Sequence, residues 1–183
     1  MNREDKFEKA KIFKASTNKV VTNVYMDAFP IEKVRFQNAS YEDKKSISCY
    51  LDFSTVARIA ADATSGRIFK LIEEDQYHRY TVSMGGTKNG KDGKPVSRMM
   101  YLGMSGDKLF INMQEGPGKL SSTGAIMPDG QPTLKVSVGM SKDDFREMFI
   151  FTHDCVNAYL GPMIHRLVKE SEEERKNAAN NNN

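Results

Sequence analysis

The segment Ile47-Ser48-Cys49-Tyr50-Leu51-Asp52-Phe53 alternates apolar and polar residues at a period of two and then reaches Ser54. The same pattern recurs 87 residues later as Leu134-Lys135-Val136-Ser137-Val138-Gly139-Met140, followed by Ser141. A period of two sends successive side chains to opposite faces of a strand, and a serine at its end is a good helix N-cap. Each copy therefore reads as a half-buried strand feeding a helix. Two such junctions, each closing a series of strands, predict an α+β fold. It consists of two pseudo-repeated units of antiparallel strands followed by a helix, with the helices packed on one side of the sheets.

Further alternating runs fill both units: Val20–Met26, Lys33–Gln37, His78–Met84, Met99–Met104 and Leu109–Met113, which makes at least seven strands. Ser54 is expected to cap a helix over Thr55–Ser65, with Val56, Ile59, Ala60 and Ala63 on its apolar face and Gly66 as its stop. Arg67–Ile72 reads equally as an extension of this helix or as a strand. Ser141 and Asp144 form a capping-box start for a second helix. Its stripe runs Phe145, Met148, Phe149, Thr152, Val156, Tyr159 and Leu160, and Gly161-Pro162 is expected to kink or restart it. Residues 1–15 form a charged arm compatible with a short helix, a leading strand or a mobile segment. Residues 16–168 make one domain, with repeat units at about 16–72 and 77–168, and residues 169–183 read as a disordered polar tail.

Composition narrows the function classes. With 27 Lys and Arg against 24 Asp and Glu, the net charge of +3 is far below that of a polybasic protein, so charge alone names no partner. The excess is localised: three in residues 1–20 and three in residues 86–98, while the last 18 residues balance at four each. Two cysteines 106 residues apart offer neither a disulfide framework nor a zinc finger, and both read as buried thiols. The start, Met1 to Lys6, lacks the apolar core of a signal peptide, and no stretch approaches a membrane span, so a cytoplasmic protein is expected. The sequon Asn38-Ala39-Ser40 is then an accident of composition.

Placing the apolar alternates inward leaves an outward set on the sheets: Lys33, Arg35, Gln37, Ser46, Ser48, Tyr50, Asp52, Arg79, Thr81, Ser83, Met99, Tyr101, Phe110, Asn112, Lys135 and Ser137. Aromatics interleaved with cations on an open sheet suit single-stranded nucleic acid, because unpaired bases stack on rings while Lys and Arg neutralise phosphates. The loop Gly85–Pro95 carries Lys88, Lys91 and Lys94, with Arg98 following. It reads either as a flexible hairpin loop or as a mobile basic finger. Its Gly85-x-x-x-x-Gly90-Lys91 spacing copies part of a Walker A loop, yet Asp92 stands where the magnesium-binding hydroxyl belongs, and Gly93 with Pro95 forbids the following helix. The candidate nucleic-acid-binding residues are thus Lys33, Arg35, Tyr50, Arg79, Lys88, Lys91, Lys94, Arg98, Tyr101, Phe110 and Lys135. A second glycine and proline stretch, from Glu115 to Gly130, lies at the same edge.

Catalytic constellations are thin. His153-Asp154-Cys155 are neighbours on a helix and point in different directions, so they cannot form a nucleophile and base pair. No metal-ligand spacing occurs, and neither a cofactor nor a metal is expected. Two units of antiparallel strands each followed by a helix resemble the Whirly-like fold of single-stranded DNA- and RNA-binding proteins, over about residues 10–170. The resemblance implies a pseudo-two-fold domain, binding of single strands, and helices that support homo-oligomers. The Lys-Gly-Lys-Ala-Ala-Leu motif of the plant Whirly proteins is absent, so the resemblance assigns no binding residue. The short tails and asparagine run look similar to bacterial mobile-element or phage proteins. The expectation is a non-catalytic single-stranded DNA-binding protein of low sequence specificity, with RNA as a second ligand. The competing class is a protein-binding module, such as a phage-encoded inhibitor of a host nucleoprotein.

Overall fold

The computed structural model describes residues 10–90 and 92–180. The first unit is a meander of four antiparallel strands, β1 (Lys11–Ser16), β2 (Val20–Tyr25), β3 (Lys33–Ser40) and β4 (Lys45–Asp52), in that spatial order. A single 3-10 turn over Phe29–Ile31 precedes β3. Helices α1 (Phe53–Thr64) and α2 (Arg67–Glu74) follow. The second unit comprises β5 (Arg79–Thr87), β6 (Val96–Ser105), β7 (Lys108–Leu120), β8 (Ile126–Pro128), β9 (Leu134–Ser141) and the helix α3 (Lys142–Asn180). Here β5, β6, β7 and β9 are neighbours in that order, while β8 pairs only with Gly118–Leu120 at the far end of β7. Both units are therefore four-strand meanders whose last strand runs into a helix, the α+β repeat that the two junctions predict.

Alternation explains the core. Val34 and Phe36 of β3, Cys49 and Leu51 of β4, Ile111 and Met113 of β7, and Val136 and Val138 of β9 share one buried cluster. Ile59 of α1, Ile72 of α2 and Phe145 and Phe149 of α3 close it from the helical side. Phe36 stacks on Phe149 at 5.3 Å between ring centroids, so one aromatic pair joins the first sheet to the last helix. Among the described residues, no helix is long and apolar enough to cross a membrane.

Four boundaries differ from the sequence expectation. Of the open N-terminal arm, the described part is the leading strand β1, whose Phe13 and Ala15 pair with Val24 and Thr22 of β2; residues 1–9 lie outside the described residues. Ser54 does not cap α1, which begins at Phe53 with Asp52 at the cap position and no side-chain cap bond. The Asp52 carboxylate is engaged by Lys33 Nζ at 2.6 Å, and Phe53 turns inward onto Phe29 at 5.2 Å, which draws the helix start forward. Arg67 neither extends α1 nor opens a strand: Gly66 at φ +75° reverses the chain, and α2 then buries Ile68, Phe69 and Ile72. The polar tail from Lys169 is helical as far as Asn180, and α3 does not restart at Pro162. Lack of apolar surface argues against burial, but Glu, Lys, Arg and Ala are good helix formers, and Arg166 pairs with Glu170 one turn on.

Candidate nucleic-acid interface

The edge strand β4 of the first sheet lies beside the edge strand β5 of the second. β4 pairs only with β3, and β5 only with β6, so each presents one edge without a ladder partner among the described residues. Between those edges lies a groove of about 420 Å³ lined by Ile31, Lys33, Tyr50, Met84 and Arg98. A second lobe of about 440 Å³ continues along the β5–β6 hairpin past Thr87, Asn89, Lys94 and Glu115. Thr87 and Arg98 line both lobes, which therefore adjoin at that pair.

Tyr50, 45% exposed, is the aromatic wall of the first lobe. Lys33 sits across the β3–β4 register from Asp52 and donates to it at 2.6 Å. Arg98 stands at the junction of the lobes. Its Nε donates to Glu115 at 2.6 Å and its Nη1 to the Thr87 hydroxyl at 3.1 Å, which fixes the guanidinium plane. Behind this pair the Cys49 thiol is buried, and burial pushes its pKa up to about 12, so it is a packed, unreactive sulfur. Cys155 is only half-buried, its thiol also raised by burial.

The glycine-rich loop is the connection of the β5–β6 hairpin, closed by the Gly90 amide donating to the Lys94 carbonyl at 2.8 Å. Gly85 and Gly86 belong to β5, and a Cβ on Gly86 would lie 1.9 Å from the Val96 carbonyl oxygen. That glycine thus serves close strand pairing rather than a phosphate. Lys88 and Lys94 are exposed along the hairpin; Lys91 lies outside the described residues. The later glycine stretch is structured as well: β7 extends to Leu120, and Gly116 lets Pro132 approach to 2.8 Å of where its Cβ would be.

The outward face of the second sheet is laid out by register. Arg79, Gly103, Phe110 and Gly139 form one row across β5, β6, β7 and β9, and Thr81, Tyr101, Asn112 and Ser137 form the next. Phe110 rests over Gly139, where a Cβ would fall 2.8 Å from its ring, and Gln114 Nε2 donates to the Tyr101 hydroxyl at 3.0 Å. Both rings are half-buried, while Arg79 and Lys135 are exposed at the two sides of the sheet. The structure therefore gathers Lys33, Tyr50, Lys94 and Arg98 around the groove, and Arg79, Tyr101, Phe110 and Lys135 on the adjoining face.

Two of the outward assignments are corrected. Arg35 is buried, at 8% exposure: its Nε donates to both carboxylate oxygens of Asp27, and its guanidinium lies 3.8 Å over the Tyr25 ring. It holds the first sheet's outer face together and is not displayed to a ligand. Ser83 is displaced by a bulge between Thr81 and Ser83, which puts Met84 opposite Met99 on the outer face. Met84, Ile31 and Tyr77 were not expected at the surface of the site. Tyr77, 65% exposed, carries the Arg79 guanidinium 5.0 Å from its ring centre. A tyrosine just before the arginine that opens a strand is the signal that marks it.

Among the described residues, no group of three His, Cys, Asp or Glu side chains is placed to hold a metal ion. His153 stands one turn from Asn157, 3.3 Å from its amide, and Asp154 points to solvent. Compared with known proteins, the chain matches no family model and no curated protein.

Proposed function

We propose that the chain is a non-catalytic single-stranded DNA-binding protein of low sequence specificity, with the strand running along the β4–β5 groove and over the outer face of the second sheet. The observation that carries this reading is the groove itself. It puts an exposed tyrosine, three described cations and an extended hairpin along one line, in contact with an open sheet face. A base stacked on Tyr50 or Tyr77 gains roughly 1–3 kcal/mol whatever its identity, and Arg98 and Lys94 reach the backbone between bases. The Whirly-like resemblance is in keeping with this use, and a phage or mobile-element origin is part of the same proposal. Duplex DNA hides its base faces and cannot use the rings.

Fluorescence anisotropy with labelled single strands, matched duplexes and RNA, at several salt concentrations, tests the reading. Tighter binding of single-stranded DNA than of duplex, weakening as salt rises, is expected. Equal duplex affinity or salt-independent binding overturns it, and preferential RNA binding moves the ligand class while keeping the groove. The second reading, a protein-binding module, is favoured by one observation: Ile31 and Met84 are 64% and 48% exposed beside the free β5 edge, where an extended peptide can add a strand. In that case no oligonucleotide binds, and charge reversal at Lys88 and Lys94 changes nothing in the titration.

A further inference from the structure

Beyond Tyr101 the outer face of the second sheet ends in a small cavity of about 190 Å³. Met99 of β6 and Gln114 of β7, which pair across the ladder one row from Tyr101 and Asn112, line it on the sheet side. Pro128, Gly130 and Pro132 line it from the segment that joins β8 to β9. That segment is pinned to β7: the Asp129 amide donates to the Pro117 carbonyl and the Thr133 amide to the Glu115 carbonyl, each at 2.9 Å. Gly130, at φ +106°, turns the chain between those two bonds. The wall is therefore already formed in the unliganded chain.

Its polar groups are few and oriented. Prolines carry no N–H, so Pro128 and Pro132 bring ring carbons and no donor. The Ser97 hydroxyl is already engaged by the carbonyls of Gly116 and Pro117, at 3.3 and 3.0 Å. Recognition falls to Gln114 and its neighbour Tyr101. Gln114 Nε2 donates to the Tyr101 hydroxyl at 3.0 Å, which leaves Gln114 Oε1 as an acceptor without a partner among the described residues. The hydroxyl, its oxygen now accepting, keeps its own O–H as a donor. Both side chains are half-buried.

An acceptor beside a donor matches the pairing edge of cytosine, whose N4 amino group donates and whose N3 accepts. Thymine presents the reverse, O4 as acceptor and N3–H as donor, and would set acceptor against acceptor. Adenine shares cytosine's order, but the cavity lies well below the roughly 300 Å³ at which sites for larger ligands begin, which favours one ring over two. We propose that Gln114 and Tyr101 read one cytosine of the bound strand in this cavity, its ring resting against the Met99 thioether and Pro132. The inference rests on the single-strand-binding reading and deepens it: one position on the strand acquires a preference, while stacking on the other rings stays indifferent to sequence.

Anisotropy titrations of the full chain with labelled oligo-dC, oligo-dT and oligo-dA of equal length, at neutral pH and one salt concentration, test it. Oligo-dC should bind about three- to tenfold more tightly than the other two, the range that one hydrogen bond or two supply. Gln114→Met removes the acceptor and Tyr101→Phe the hydroxyl, each with little change of bulk. Either variant should bring oligo-dC down to the oligo-dT affinity while oligo-dT stays within about twofold of its original value, which also shows that the variant is folded. Equal binding of oligo-dC and oligo-dT, a preference for oligo-dT or oligo-dA, or an oligo-dC preference that survives both variants overturns the inference and leaves single-strand binding standing. Equal losses on both pyrimidine strands, with an unchanged circular-dichroism melt, mark a general contact and overturn it too. If none of the three strands binds, the single-strand reading itself falls, and the cytosine site with it.

Discussion

Asn38 occupies a core position of β3, two residues beyond Phe36 on the same face, and is fully buried. Its amide nitrogen donates to the carbonyls of Ile111 at 2.9 Å and Val136 at 3.1 Å, and its oxygen accepts from the Thr22 hydroxyl at 2.7 Å. One side chain thus ties the first sheet to β7 and β9 of the second. Burial of a polar group is tolerated only when its bonds are made, and here all three belong to one network. Asn38→Leu is expected to lower stability by roughly 2–4 kcal/mol, because two carbonyls and a hydroxyl lose their partner inside the core. Thr22→Val, which removes one donor, should cost about 1 kcal/mol. In urea titrations the double variant should cost less than the two single losses added, since both act on the same network. Strict additivity would show that Asn38 and Thr22 do not act together.

At the scale of elements, the two junctions that look alike in sequence differ in mechanism. The Ser141 hydroxyl accepts from the Asp144 amide at 3.0 Å, and the Ser141 amide donates back to the Asp144 carboxylate at 3.3 Å, a reciprocal box. Ser54, in the first turn of α1 and exposed, makes no cap. Ser141→Ala should therefore cost about 1 kcal/mol and Ser54→Ala under about 0.5 kcal/mol in thermal or urea unfolding, a contrast that equal costs would contradict. Most strands and the order of the two units were legible because one buried face enforces a period of two along Ile47–Phe53 and Leu134–Met140. What escaped was set by partners distant in sequence. Arg35 alternates correctly with Phe36, but Asp27 and Tyr25 fold over it. The bulge that swaps Ser83 for Met84 arises from pairing with β6, which a single strand's pattern does not encode. The edge-to-edge groove follows from how two meanders share a core, so its residues were named from several segments without the cavity that joins them.

For the whole molecule, the groove's charge is more nearly balanced than its cations suggest. Lys33, Lys94 and Arg98 face Asp52, Asp92 and Glu115, three against three, and two ion pairs of 2.6 Å, Lys33–Asp52 and Arg98–Glu115, sit within the proposed binding line. On the proposed reading, a phosphate entering the groove would exchange a carboxylate for itself instead of meeting a bare cation. Each such partly exposed pair is worth about 1 kcal/mol or less, so that exchange would be readily reversible and would hold affinity down. Removing the competitor should then tighten binding. Asp52→Asn and Glu115→Gln are each expected to raise single-strand affinity up to about fivefold at low salt, the equivalent of about 1 kcal/mol. Together they should steepen the dependence of log K on log salt by about 1.4, because roughly 0.7 accrues for each newly neutralised phosphate on a single strand. Arg98→Ala should shift affinity the opposite way and flatten the slope, while Tyr50→Ala should lose roughly 1–3 kcal/mol with the slope unchanged, since stacking releases no counterions. Anisotropy titrations of the four variants at several salt concentrations separate these outcomes. If Asp52→Asn and Glu115→Gln leave both affinity and slope where they were, the strand does not pass between β4 and β5, and the outer face of the second sheet must bind it without the groove.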